Sequence, residues 1–140
     1  MDHRSAYKYK SRGGLKRLAA ATSYSIRGLA AAWRQEASFR QEVIIGALLV
    51  PVAAWLAPSL GQALALVGAI VFVWLVELVN SAIEALADAL TLEQHPLLGR
   101  AKDIGSAAVL LSLVIAAGVW LGVLWPVLWP VLVPVITGRT

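Results

Sequence analysis

VWLVELVNSAIEALADAL, residues 73–90, is the stretch on which the reading of this chain turns. At about 100° per residue, Asn80, Glu84 and Asp88 fall at about −60°, −20° and +20° from Glu77, so the four share a helix face about 80° wide. Three carboxyls and one amide therefore converge on one side of an otherwise apolar helix. Leaving such groups buried and unpartnered costs several kcal/mol each, and an ionisable residue at membrane depth marks a functional site by default. The stripe calls for a cationic partner.

The composition around it belongs to a membrane. Of 140 residues, 59% are hydrophobic and only 14% are charged, against roughly 25% charged in a soluble domain. Cysteine is absent, which excludes disulfides, thiolate nucleophiles and zinc–thiolate sites. His3 and His95 lie too far apart to suggest a metal pair. The net charge of +4 is asymmetric: nine of the twelve Lys and Arg lie at or before Arg40, two more are Arg100 and Lys102, and Arg139 is the last. Basic residues beside oily spans fit anionic phospholipid headgroups and not nucleic acid. The basic start, with no charge-free run near Met1, is not read as a cleavable signal.

Residues 1–14 are expected to form a basic mobile tail. From Leu15 to about residue 35, Leu18, Thr22, Ile26, Leu29 and Trp33 recur at three- and four-residue steps while Lys16, Arg17, Arg27 and Arg34 lie off that stripe. This predicts an amphipathic helix on a membrane surface. Residues 43–76 carry no charge. As one helix they would run about 51 Å, against a hydrocarbon core of roughly 30 Å, so they must divide. The break falls at APSLGQ, 57–62, giving spans near 39–57 and 62–90. The polar TLEQHPLLGRAKD, 91–103, reads as a loop before a third span, 104–125. The whole is an all-α membrane protein, a surface helix plus a three-span domain at 39–125. The Pro- and Trp-rich tail 126–140, with Pro126, Pro130 and Pro134 four apart, reads as irregular and interfacial. The excess of Lys and Arg puts the N-terminus and the 91–103 segment in the cytoplasm and the C-terminus on the far side.

In that topology Glu77 to Asp88 lie in the cytoplasmic half of the second span, level with Glu36, Glu42, Arg40, Lys102 and Asp103. Carboxylates gathered beside cations at a membrane–cytosol boundary suit a hard divalent metal and a polyphosphate. Mg²⁺ takes one or two carboxylates plus phosphate oxygens, and phosphoryl transfer needs a base beside the attacking hydroxyl. Glu77, deepest of the stripe, is the candidate base. No G-x-x-x-x-G-K-[ST] loop is present. The residues alone lead to a metal- or proton-dependent membrane site.

Three strings in order, AAWRQEASFRQE (31–42), VELVNSAIEALAD (76–88) and GRAKDIGSAAVL (99–110), resemble the bacterial diacylglycerol kinase family over about residues 17–125. The resemblance implies a homotrimer of the bacterial inner membrane that transfers the γ-phosphate of ATP to the hydroxyl of diacylglycerol, giving phosphatidic acid. It implies Glu77 as catalytic base and Glu36 and Glu84 as ligands of Mg²⁺. Arg17, Tyr24, Glu93, His95, Lys102 and Asp103, with Glu36 and Glu84, match nucleotide-holding positions. Arg17, Trp33, Asn80, Ser106 and the Ser38–Glu42 segment, including Arg40 and Glu42, match positions around the lipid and the reacting centre.

Plainer readings stand beside these. Glu77 and Glu84 could be buried acids joining helices, and Asn80 interhelical glue. Asp88 reads as a solvated residue near a helix end, His95 as a turn residue, Lys102–Asp103 as a helix-start pair, and Glu36–Arg40 as a helix salt bridge. Relatives of the same architecture phosphorylate undecaprenol, which keeps that alcohol open as the acceptor. A proton- or cation-conducting bundle is the rival of a different class, and it needs a polar relay that 43–76 and 107–125 furnish only with Ser59, Gln62 and Ser112. A non-enzymatic assembly partner would tolerate Glu77→Gln.

Overall fold

The computed structural model describes residues 14–90, 93 and 95–137, with the backbone alone at 15, 131, 132 and 134–137. Of the expected tail 1–14, residues 1–13 lie outside the described residues and Gly14 is the first residue of α1; 91, 92, 94 and 138–140 also lie outside. Four helices follow one another: α1 (Gly14–Gln35), α2 (Ala37–Leu56), α3 (Leu60–Leu90) and α4 (Pro96–Thr137). α3 is the central element, packed against both α2 and α4, and α1 adjoins α2.

Local chemistry explains each boundary. Glu36 alone separates α1 from α2, extended at φ −102° and ψ 112°. The hydrogen-bond ladder crosses this break, since the Glu36 N–H donates to the Ala32 carbonyl and the Glu36 carbonyl accepts from Arg40. The guanidinium of Arg40 donates from Nη1 to the carbonyls of Trp33 and Arg34, each at 3.1 Å. These belong to the last turn of α1, where carbonyls lack helical donors. Arg40 thus closes α1 instead of pairing with Glu36. α2 ends at Ala57, held extended by the ring of Pro58. Ser59 then opens α3: its Oγ accepts from the Gln62 N–H at 3.3 Å and bonds the Gln62 side chain at 3.1 Å, a variant of the capping box. Pro96 starts α4, where its missing N–H would have had no partner anyway.

α2, α3 and α4 are each long and apolar enough to cross a bilayer. Few of their side chains are buried within the chain, and Trp55, Leu48 and Leu111 stand open. In a medium of lipid that exposure carries no hydrophobic penalty, and helix contact depends on fit instead. The buried residues of α3 are Leu66, Ala69, Ile70, Val73, Glu77, Asn80, Ser81 and Ala87. Gly46 lets α2 approach it: a Cβ there would lie 2.5 Å from Cζ2 of Trp74 and 2.6 Å from Cγ2 of Ile70. The indole of Trp74 crosses this gap and donates to the Glu42 carbonyl at 3.0 Å. Farther along, Trp120 donates to the Leu66 carbonyl at 3.3 Å and ties α4 to α3.

Two expectations change. Residues 96–103 are the first turns of α4 and not loop, because Pro96 and the bond from the Gly99 N–H to the His95 carbonyl nucleate a helix that the polar composition concealed. Residues 126–137 are helical and not irregular. Prolines four apart free the carbonyls of Gly122, Pro126 and Pro130, which lie along one face, while the fixed φ of each ring is already helical. Trp125 and Trp129 stack along the same stretch with ring centroids 5.0 Å apart. With 42 residues, α4 is about 63 Å long, about twice the hydrocarbon thickness.

Gly46→Val should lower stability by about 1–3 kcal/mol through overpacking against Trp74. Trp74→Phe, which removes one hydrogen bond, should lower it by about 1 kcal/mol. Thermal unfolding in detergent micelles measures both, and an unchanged midpoint for Gly46→Val would show that α2 and α3 are not in close contact there.

Candidate functional site

Three parts of the chain converge on one cavity of about 320 Å³, lined by Glu36, Ser38, Glu42, Glu77, Asn80, Glu84, Ser106, Val109 and Leu113. Glu36, Ser38 and Glu42 come from the α1–α2 junction and the first turns of α2. Glu77, Asn80 and Glu84 come from α3, and the rest from α4. The extended backbone at Glu36 brings its side chain to this wall, since that carboxylate makes no capping bond to α2.

Among the described residues four carboxylates line the cavity and no Lys or Arg does. Glu77 is 4% exposed and Asn80 8%. Asn80 donates from Nδ2 to Oε1 of Glu84 at 3.0 Å, which fixes the rotamer of that carboxylate. Its own Oδ1, with Oε2 of Glu42 and Oγ of Ser81, is buried without a hydrogen-bond partner among the described residues. Buried polar atoms in that condition are costly, about 1–3 kcal/mol each, so the arrangement is incomplete without a donor or a cation.

The cavity has a rim. Asp88 is one helical turn from Glu84, and Lys102 is one turn from Ser106 on the antiparallel α4. These two residues form an ion pair across the helices. Asp88 is exposed, in keeping with a solvated helix end, and Lys102 is the cation that stands nearest the acids along these two helices.

Seven of the residues singled out in the sequence therefore meet: Glu36, Ser38, Glu42, Glu77, Asn80, Glu84 and Ser106. The others lie outside this wall. Arg17 and Tyr24 are exposed on α1, where the guanidinium of Arg27 stacks 4.8 Å from the Tyr24 ring centroid. Trp33, Glu93, His95 and Asp103 are exposed, and Arg40 is engaged with the end of α1. An open groove of about 510 Å³ separates α1 from α3 and shares Glu36 with the cavity. Ser25, Gly28, Ala31 and Ala32 line it on one side, and Ser81, Ala82 and Ala85 on the other.

Glu36 and Glu84 offer oxygen donors of the kind Mg²⁺ accepts, two carboxylates with further positions left for phosphate and water. Among the described residues no three His, Asp, Glu or Cys form a ready-made metal cage. That donor set fits a cation that arrives with a phosphate ligand better than one held by protein alone.

Reading the sequence did not reveal Gly105. A Cβ at this position would collide with Oδ1 of Asn80, so α4 can lie against α3 here only if residue 105 has no side chain. Its signal was present in GSAA (105–108), a run of small residues of the kind found where membrane helices touch. Trp74 was likewise overlooked, because an indole in an apolar span reads as lipid-facing until its N–H partner is known.

Comparison with known proteins gives a consistent result. The family model for prokaryotic diacylglycerol kinase matches residues 23–124. The chain is 44% identical to the diacylglycerol kinase of Pseudomonas aeruginosa over 116 residues, 83% of this chain and 94% of that one. It is 45% identical over 107 residues to the Escherichia coli K12 enzyme of that name, covering 76% of this chain and 88% of the other. For Haemophilus influenzae the identity is 38% over 111 residues, covering 79% and 94%.

Gly105→Ala should destabilise the protein through Asn80. In a double-mutant cycle with Asn80→Ala, thermal unfolding should show a coupling of about 1–2 kcal/mol, because the shortened side chain makes room for the new methyl group. Strict additivity would mean that Gly105 serves helix packing independently of the amide.

Proposed function

The chain belongs to the prokaryotic diacylglycerol kinase family, and as the lipid kinase this makes it, we propose that the four-carboxylate cavity is where the γ-phosphate of ATP passes to the hydroxyl of diacylglycerol. The observation that carries the assignment to this cavity is the meeting of Glu36, Glu77, Asn80 and Glu84 from separate elements, with no basic side chain among the described residues lining the wall. Four acids gathered in one place need cations from outside, and a nucleotide brings one.

Glu77 is the base. It is buried beside the position where an acceptor hydroxyl would enter from the apolar side, and its carboxylate takes the hydroxyl proton as the oxygen attacks the γ-phosphorus. The bond from γ-phosphorus to the bridging oxygen breaks, and ADP leaves with that electron pair. Glu36 and Glu84 would hold Mg²⁺, which supplies charge neutralisation at the phosphates. Asn80 orients Glu84 through its 3.0 Å bond. Ser38, Glu42 and Ser106 position the glycerol end of the lipid. Lys102 at the rim is placed to exchange Asp88 for phosphate oxygens. Arg17, Tyr24, Glu93, His95 and Asp103 complete the hold on the nucleotide, and Trp33 and Arg40 stand at the lipid entrance. We assign the assembly as a homotrimer. The open groove between α1 and α3, with its small side chains, and the exposed apolar faces of the spans support that state. The location is the bacterial inner membrane, the N-terminus and the 91–103 segment cytoplasmic and the C-terminus periplasmic, on the strength of the Lys and Arg distribution.

A conducting bundle finds no support. Beyond Leu113 the space between α2, α3 and α4 is walled by Leu49, Ile70, Val73 and Ala117. Ser112, the one serine between Ala107 and Trp125, donates its hydroxyl to the Val109 carbonyl at 2.7 Å. Undecaprenol gains no observation in its favour.

Purified protein in mixed micelles, given radiolabelled ATP with diacylglycerol and undecaprenol side by side, should yield labelled phosphatidic acid. Glu77→Gln should lower kcat by about 10²–10⁴-fold, the range for loss of a general base. Glu84→Gln should raise the Mg²⁺ concentration needed for half-maximal rate. Product persisting at wild-type rate in Glu77→Gln would remove the assigned base.

A further inference from the structure

α4 outruns the helix it packs against. Its register on α3 is fixed at two points: Gly105 faces Asn80, and the Trp120 indole donates to the Leu66 carbonyl at 3.3 Å. Continuing six residues along each helix brings Leu60, the first residue of α3, level with Pro126. The polar Ser59–Gln62 cap stands close to that level and marks the membrane boundary remote from the carboxylates. Residues 127–137 are helical and run about 16 Å past it. They lie beyond the stretch matched by the family model, which ends at residue 124. Tilting does not absorb this overhang. At about 40°, the upper end of ordinary tilts, a helix crosses the hydrocarbon in about 26 residues, whereas 104–137 is an uncharged run of 34. Nor does the overhang suit water, since its sequence, VLWPVLVPVIT, is apolar up to Thr137.

The segment is nonetheless two-faced, through its backbone. Gly122, Pro126, Pro130 and Pro134 advance by about 40° at each step of four and so follow one face of the helix. The carbonyls of Gly122, Pro126 and Pro130 meet proline nitrogens that have no N–H to donate, which leaves a band of acceptors along that face. Leu124 and Leu128 fall on the opposite side, about 160° to either side of Pro126, and Leu128 is exposed. Trp125 and Trp129, both exposed and stacked with ring centroids 5.0 Å apart, stand between the two. This is the profile of a helix at the lipid–water boundary, where water and headgroups donate to carbonyls and indoles concentrate. A second copy packed on the proline face would set proline against proline and leave the carbonyls without donors.

We propose that residues 126–137 turn at Pro126, where the helical ladder first loses a bond, and lie in the headgroup layer of the leaflet remote from the carboxylate cavity. Phospholipid is the partner: its acyl chains meet the leucine face, and its headgroups with their water meet the proline face. The segment is thus an interfacial anchor at the outer end of α4. The proposal stands on the register and the backbone of α4 and does not depend on the kinase reading.

The chain has no cysteine, so a single introduced cysteine carries a nitroxide label without background. Leu128→Cys, Val133→Cys and Val135→Cys are made in the full chain, placed in vesicles of phosphatidylethanolamine and phosphatidylglycerol, and read by collision with oxygen and with a water-soluble nickel chelate. By helical period positions 128 and 135 share one face and 133 lies on the other. Labels at 128 and 135 should report the same depth within about 3 Å and favour oxygen, while the label at 133 favours nickel. A gain of about 10 Å toward water from 128 to 135 would show a helix projecting from the membrane, and a label at 135 deep in the hydrocarbon would show a longer span. Low access to both reagents, with line broadening relieved by unlabelled protein, would show a second copy on the segment. Each of these three results overturns the proposal. Thermal unfolding in micelles identifies a misfolded variant, and Leu132→Cys, on the same side as 128, then takes its place.

Discussion

The structure depends on confining Glu77 and Asn80, almost fully buried, to a helix whose other faces are apolar. Neither lipid nor a packed hydrocarbon core solvates such groups, so neighbouring elements must present polar atoms to that one face. Glu36 and Glu42 from the α1–α2 junction and Ser106 from α4 meet that requirement in part. What they supply is mostly further acceptors. The result is an acid-rich space whose remaining need is for donors and cations.

The close contacts that hold this face in place are made by absent side chains as much as by present ones. Gly46 admits the Trp74 ring to the surface of α2, and Gly105 admits Asn80 to the surface of α4. Both contacts lie within a turn of a site residue: Gly46 is four residues from Glu42, whose carbonyl receives the Trp74 N–H, and Gly105 precedes Ser106. Among membrane helices, where burial of apolar area gives little drive to association, such fits carry a larger share of specificity than they would in water. Arg40 applies the same economy at the surface, satisfying two carbonyls at the end of α1 and so setting the one-residue bend that turns Glu36 inward.

Along α2, α3 and α4 the lining between the helices changes from polar at the level of Glu36 and Glu84 to apolar at the level of Trp120. A membrane kinase must bring a water-soluble donor and a lipid acceptor to one point. On the proposed reading, a gradient of this kind would let the phosphate end sit where charges can be balanced and the hydrocarbon end where nothing polar competes.

By itself the sequence determined the class of fold and most of the polar site. Charge-free length requires a division near Pro58, and the four-residue spacing of Asn80, Glu84 and Asp88 sets one acidic face, because helical period and bilayer thickness leave little choice. It misjudged the ends of α4, where polar composition around Pro96 suggested a loop and prolines beyond Trp125 suggested irregular chain; hydrogen bonding and the clustering of lost donors on one face decide otherwise. Only the tertiary structure decided which acids share a wall, that Asp88 leaves the group to pair with Lys102, and that Arg40 closes a helix. It alone gave Gly105 and Trp74 their roles, because a missing Cβ and an indole N–H have meaning only through the atoms opposite them, and those lie 25 and 32 residues away in the chain.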